Sequence, residues 1–233
     1  MARGYQPGGP TTGVKQSTSD TTAGVGNIVH EGELWASYAT SDSDELTAKK
    51  CATANSPHVI GVQIGKDHID ARTNDTSGNP VAALGFATDV ATSGAQTLVK
   101  CNSAVTKHDW LISDASGGAV KFLPTATLGT GINNSTDANI ALTQPGLLPA
   151  VAANDYIRIG TEIMKVASVT NAYTFVVDTT TSRAKMGSTI AAHSAGDYVY
   201  KLGTFYIVGR AQHNGAAGDL VQCDILLDVK YVS

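Results

Sequence analysis

The chain has 233 residues and a formal net charge of −4, and only 15% of it is Asp, Glu, Lys or Arg, against about 25% in an average soluble domain. Ala, Thr, Gly and Ser fill 99 positions, and Val plus Ile (33) outnumber Leu (14), a balance that suits pleated, half-buried strands. No run of roughly 18 apolar residues occurs, which excludes a membrane-spanning helix, and scattered Lys and Arg with a pI near 5.8 argue against a nucleic-acid footprint.

Residues 1–27 (MARGYQPGGPTTGVKQSTSDTTAGVGN) have no periodic apolar face. They read as an extended or disordered arm in which Tyr5, Pro7 and Val14 are the candidate contact residues. Met1 to Asp20 also lacks the apolar centre of a secretion signal. Strand signals start at Asn27. Short β-branched runs follow one another, each bounded by Gly, Asn, Ser, Asp or Pro: Leu34–Tyr38, Leu46–Cys51, Val59–Gly65, Val81–Asp89, Thr97–Cys101, Asp109–Ser113 and Ala119–Leu123. Such spacing predicts a β-barrel or sandwich, and no segment carries a helical apolar stripe. Trp35 is a further candidate for subunit contact, and Trp110 is the better core candidate.

Residues 124–150 are rich in turn formers and read as a linker or a long surface excursion. Asp155–Ile159, Glu162–Val169 and Tyr173–Asp178 then form a three-strand meander, and Tyr198–Leu202 adds another strand. Thr204–Gln212 and Asp219–Val232 are the last two. Residues 85–101 and 209–223 share G-x-A, a small polar loop and Leu-Val-x-Cys. This predicts two equivalent hairpins of one domain, with Leu and Cys across the pleat from Val. The expected fold is therefore all-β: a barrel or sandwich domain over 28–136 and 203–233, a second small β domain inserted at 137–202, and the arm 1–27.

Chemical motifs are sparse. The six histidines show no metal-ligand spacing, and His108-Asp109 and His68-Ile69-Asp70 read as surface hydrogen bonds. Asp42, Asp44 and Glu45 read as a solvated turn without the Gly or distal Glu of a calcium loop. Cys51, Cys101 and Cys223 form no C-x-x-C pair and read as buried free thiols. No nucleophile, acid and base can be assembled, so no catalytic residue, metal or cofactor is expected.

Glu31-Gly32-Glu33-Leu34, Val59-Ile60-Gly61-Val62, Gly85-Phe86-Ala87 and the run His108 to Val120 resemble the capsid decoration, or cement, proteins of tailed bacteriophages. Tyr206-Ile207-Val208-Gly209-Arg210-Ala211, Ala216 to Val221 and Ile225-Leu226-Leu227 are the closest part of the match. The resemblance covers about 28–123 and 203–232. It implies a structural virion protein, made in the host cytoplasm, on the outer surface of the head. Its partners would be the major capsid protein and itself, as a homotrimer, with neither nucleic acid nor membrane. Tyr156 to Val166, with Gly187-Ser188-Thr189 and Ala191 to Gly196, resembles a small β module of phage virion proteins. That module carries an Arg-Gly pair where this chain has Arg183-Ala184 or Met186-Gly187. A tail, baseplate or head–tail adaptor is the alternative. A carbohydrate-binding module is the less favoured one, because it needs a row of exposed aromatics and only 6% of this chain is aromatic.

Overall fold

The computed structural model describes residues 11–16, 34–37, 47–63, 87–133, 139–143, 146–177 and 183–233. The described residues form strands, turns and loops with no helix. The chain divides into two compact units. One comprises Met1–Phe122 and Tyr206–Val229, the other Leu123–Phe205 and Lys230–Ser233.

The first unit holds a closed five-stranded barrel and a five-stranded sheet. The barrel runs β1 (Thr11–Gln16), β3 (Thr47–Lys50), β2 (Leu34–Ser37), β4 (Val59–Gln63) and β5 (Ala87–Ala91). It closes through antiparallel pairing of β1 with β5, with Thr11 opposite Ala91 and Val14 opposite Thr88. Part of the expected arm is thus a strand of the chain's own barrel. The reason lies in TTGVKQ, where Thr11, Thr12 and Val14 favour extended backbone, and closure leaves no unpaired sheet edge. The rest of the segment 1–27 lies outside the described residues.

The sheet is ordered β6 (Gln96–Lys100), β16 (Leu220–Val232), β15 (Gly203–Ala211), β7 (Trp110–Ser113) and β8 (Ala119–Lys121). The C-terminal strand β16 pairs antiparallel with β6, Val221 opposite Val99 and Cys223 opposite Thr97. One core joins barrel and sheet through Val62, Val99, Leu111, Val208, Val221 and Ile225. The other sheet face is polar: Asp224 accepts from Gln96 at 2.9 Å and from Gln212, and Gln222 donates to Gln96 at 2.9 Å. One dry face and one wet face is the usual economy of an antiparallel sheet.

Three expectations change here. The two repeats are not equivalent hairpins, because β5 lies in the barrel whereas β6 pairs with β16. The turn between them, closed by the Ala95 N–H on the Thr92 carbonyl, carries the chain from one sheet to the other past buried Ala91 and Ala95. Cys101 and Cys223 lie on the same side of the pleat as Val99 and Val221, all four buried, as a side-chain period of two requires. Trp110 is half-buried under the Arg210 guanidinium at 5.5 Å, and the core positions of its strand are Leu111 and Ile112.

The second unit is a six-stranded sheet ordered β10 (Asn139–Ala141), β13 (Thr174–Val177), β12 (Glu162–Asn171), β11 (Tyr156–Ile159), β14 (Tyr198–Lys201) and β9 (Thr125–Thr127). The meander β11–β12–β13 stands where the alternating runs place it. The segment 124–150, expected as a linker, instead supplies two strands and the buried side chains Leu128, Ile132, Ile140, Leu142 and Leu147. The inserted unit accordingly begins near Leu123 rather than at 137. The apolar residues of this stretch are single and separated by Thr, Gly and Asn, so no local period reveals them. Ile157, Ile159, Met164, Phe175, Val177 and Val199 complete the core.

Gly209 of β15 lies against the β16 backbone: a Cβ there would lie 2.6 Å from the Asp224 carbonyl oxygen. Gly209→Ala should therefore force the strands apart and lower stability by about 1–3 kcal/mol, read as a drop in urea midpoint with an unchanged slope.

Candidate functional site

Of the four residues expected to make subunit contacts, Tyr5 and Pro7 lie outside the described residues. Val14 is on β1, opposite Thr88. Trp35 is on β2, with Lys50 opposite on β3 and Gly61 opposite on β4. Both have backbone partners within the first unit's barrel, on non-adjacent strands of it.

His108 and Asp109 do not form a dyad. The Asp109 carboxylate accepts from the Thr106 N–H at 2.7 Å and its hydroxyl at 2.8 Å, and lies 2.9 Å from Lys121 Nζ. Burial would raise this carboxyl, but the Thr106 and Lys121 contacts outweigh it and hold it below the ordinary range. The carboxylate closes a turn and anchors β8. His68, Asp70, Asp42, Asp44 and Glu45 lie outside the described residues. The three cysteines are buried free thiols. The Cys101 contact and burial push the Cys223 thiol far up, so it is an inert core group.

The most organised polar cluster is in the second unit. Glu162, at the start of β12, is fully buried, and Arg183 is 5% exposed. Arg183 grips the carboxylate with both arms, Nε to Oε1 at 2.8 Å and Nη2 to Oε2 at 2.7 Å. Nη1 and Nη2 also donate to the Asn133 and Ala191 carbonyls, both at 2.6 Å. The Ala191 N–H donates to Oε2 at 3.0 Å, and His193 Nε2 lies 2.9 Å from the same oxygen. His193 also pairs through its backbone with Ile132 in both directions. One ion pair thus ties four chain segments, around 132, 162, 183 and 192. The carboxylate is met by Arg183, the Ala191 N–H and His193, so the arrangement ties loops to the start of β12. Burial would raise the Glu162 carboxyl, but the bonds from Arg183, Ala191 and His193 win and set it below the usual carboxylate range.

The same cluster accounts for Arg183-Ala184. Ala184 has φ +51° and Met186 φ +53°, a left-handed backbone that glycine adopts without penalty and other residues do not. The loop places Arg183 on the carboxylate and carries the strain of an alanine at the following position. Sequence reasoning did not single out Glu162. Its only signal was a carboxylate at an alternating core position of an otherwise apolar strand.

Among the described residues, the exposed large apolar side chains are Val169, Met186 (70%), Ile190, Tyr198 (63%) and Tyr231 (78%) on the second unit and Leu220 and Val229 on the first. Leu227, with φ +46°, kinks β16 just before the exposed Asp228 and Val229. No family model, curated protein or solved structure matches this chain.

Two outcomes are expected. Glu162→Gln leaves the Arg183 charge buried without its partner and should cost about 3–5 kcal/mol. In the parent, the depressed carboxyl makes a stabilising contribution that is complete above the ordinary glutamate value of about 4.3. That contribution is lost as pH falls through the lower folded value, so acid melts should show a decline that Glu162→Gln lacks. Ala184→Gly should relieve the left-handed alanine and raise the melting midpoint, by up to about 1 kcal/mol in stability.

Proposed function

We propose that this is a structural virion protein of a tailed bacteriophage that binds the outside of the head and cements neighbouring major capsid subunits against the pressure of the packaged genome. The observation that carries the reading is the pairing of a weakly charged, small-residue composition, 15% charge with 99 Ala, Thr, Gly and Ser, with an all-β scaffold. Small side chains let backbones approach closely, and few charges mean little desolvation cost over broad contacts. The exposed loop Ala216–Gly218, between β15 and β16, has this character, and it falls within the segments that resemble decoration proteins. A standard interface buries on the order of 1,600 Å², and many simultaneous weak contacts hold through effective concentration.

Attachment belongs, on this reading, to the first unit and the residues of 1–27, with self-association as a homotrimer. The second unit has its own sheet and its own core, and attachment does not require it. The competing reading is a tail, baseplate or head–tail adaptor, to which the likeness of Tyr156–Val166 to virion modules also lends support.

Copy number separates the two. Quantitative mass spectrometry of purified particles should find the chain in numbers that match the lattice positions of the head. A count that fits a single ring would support the adaptor and overturn the decoration reading.

A further inference from the structure

We infer that the outer face of the second unit's sheet binds an acidic carbohydrate, with Tyr198 and Tyr200 as the stacking platform and Arg158 and Lys165 as the anionic subsite. This does not rest on the capsid reading.

Three of the eight tyrosines come to one face by strand alternation. In β14, Val199 is buried and Tyr198 and Tyr200 point the other way; in β11, Ile157 and Ile159 are buried and Tyr156 and Arg158 share the opposite side. Register sets the rows: Arg158 is opposite Tyr200 on one side and Ile163 on the other, and Tyr156 is opposite Lys165. The Tyr198 and Tyr200 ring centroids lie 6.3 Å apart at 43°, and the Arg158 guanidinium lies over the Tyr200 ring at 4.9 Å. Composition diluted these residues to a low aromatic percentage, but the fold gathers them.

Two observations point to the chemistry of the occupant. The first is charge. The described residues on this face of β9, β11, β12 and β14 include no carboxylate, so Arg158 and Lys165 face outward without a counter-charge there. Arg158 Nε is also the one buried side-chain polar atom found without a hydrogen bond among the described residues. A half-buried guanidinium held on a ring by a cation–π contact, with no carboxylate beside it among the described residues, suits a carboxylate brought by a ligand. The second is a groove beside Tyr198, lined by Leu123, Thr125, Thr127, Thr143 and Gly146. Its Thr127 and Thr143 hydroxyls lie 2.6 Å apart, with Thr143 also donating to the Thr127 carbonyl at 3.2 Å, which leaves oxygen lone pairs to accept from sugar hydroxyls. Tyrosine rings offer flat apolar area for the C–H face of a pyranose, with a polar tip.

A polyphosphate chain fits less well. Nucleic acid is held by many cations in a continuous track, and this face offers two on a chain of net charge −4. A protein partner would want more apolar anchorage than Ile163 and the tyrosines supply.

The test is affinity electrophoresis of the full chain through gels containing polygalacturonate, alginate or polysialic acid, with neutral dextran, polyglutamate and oligothymidylate as comparisons. Retardation by at least one acidic polysaccharide is expected, weakened about tenfold by Tyr198→Ala and also by Arg158→Gln, with no comparable retardation by the three comparison polymers. Tyr198 is exposed, so Tyr198→Ala keeps its melting midpoint and separates binding from folding even where Arg158→Gln does not fold. Absence of retardation by all three acidic polysaccharides overturns the inference. So does equal retardation by dextran, polyglutamate or oligothymidylate, or binding that survives Tyr198→Ala unchanged.

Discussion

The pairing of β16 with β6 is the constraint on which the first unit depends. Its sheet has no complete core face until Val221, Cys223 and Ile225 arrive from the end of the chain to meet Val99 and Leu111. Everything between Leu123 and Phe205 must fold without blocking that return. A unit with its own sheet and its own core meets this requirement. The contacts that define the first unit are therefore long in sequence separation, and their loop-closure entropy is offset only once the last strand docks.

The second unit meets a different difficulty. It is rich in Thr and Ala, whose short side chains bury little apolar area. The Glu162–Arg183 pair supplies an anchor that small residues cannot. Removing two charges from water is unfavourable in itself, and it is tolerated here because nearly every donor and acceptor of the pair finds a partner, including backbone groups of Asn133 and Ala191. The consequence is positional: the chain around 132, 183 and 192 is pinned at the base of β12. Ala184 and Met186 are left-handed in the segment that presents Arg183 to the carboxylate.

A division of labour follows. The proposed capsid-contact role is assigned to the first unit, and the second gathers tyrosines with Arg158 and Lys165 on one sheet face. A protein proposed to coat a particle and one proposed to hold an acidic sugar need not be rivals, because the two surfaces lie on separately folded units of one chain. The adaptor reading is equally compatible with the sugar-binding face.

Much of this architecture was legible in residue order. The β-branched alternation around Val59, Thr97, Tyr156 and Tyr198 determined that these segments are strands and which side chains face inward, since a period of two admits few alternatives. The sharp turns at Gly160-Thr161 and Asn171-Ala172 likewise determined the meander. What only the tertiary structure decided was partnership. Thr11–Gln16 looks like any polar tail until β5 lies beside it. Leu128, Ile132 and Ile140 look like strays in a linker until Phe175 and Val199 surround them. Glu162 looks like a surface charge until Arg183 reaches it from a distant loop. The tyrosines of β11 and β14 are far apart in the chain, and only cross-strand register makes them neighbours. Alternation is local and is written in adjacent residues, whereas pairing, burial and charge compensation are set by segments far apart in sequence, whose meeting no local pattern records.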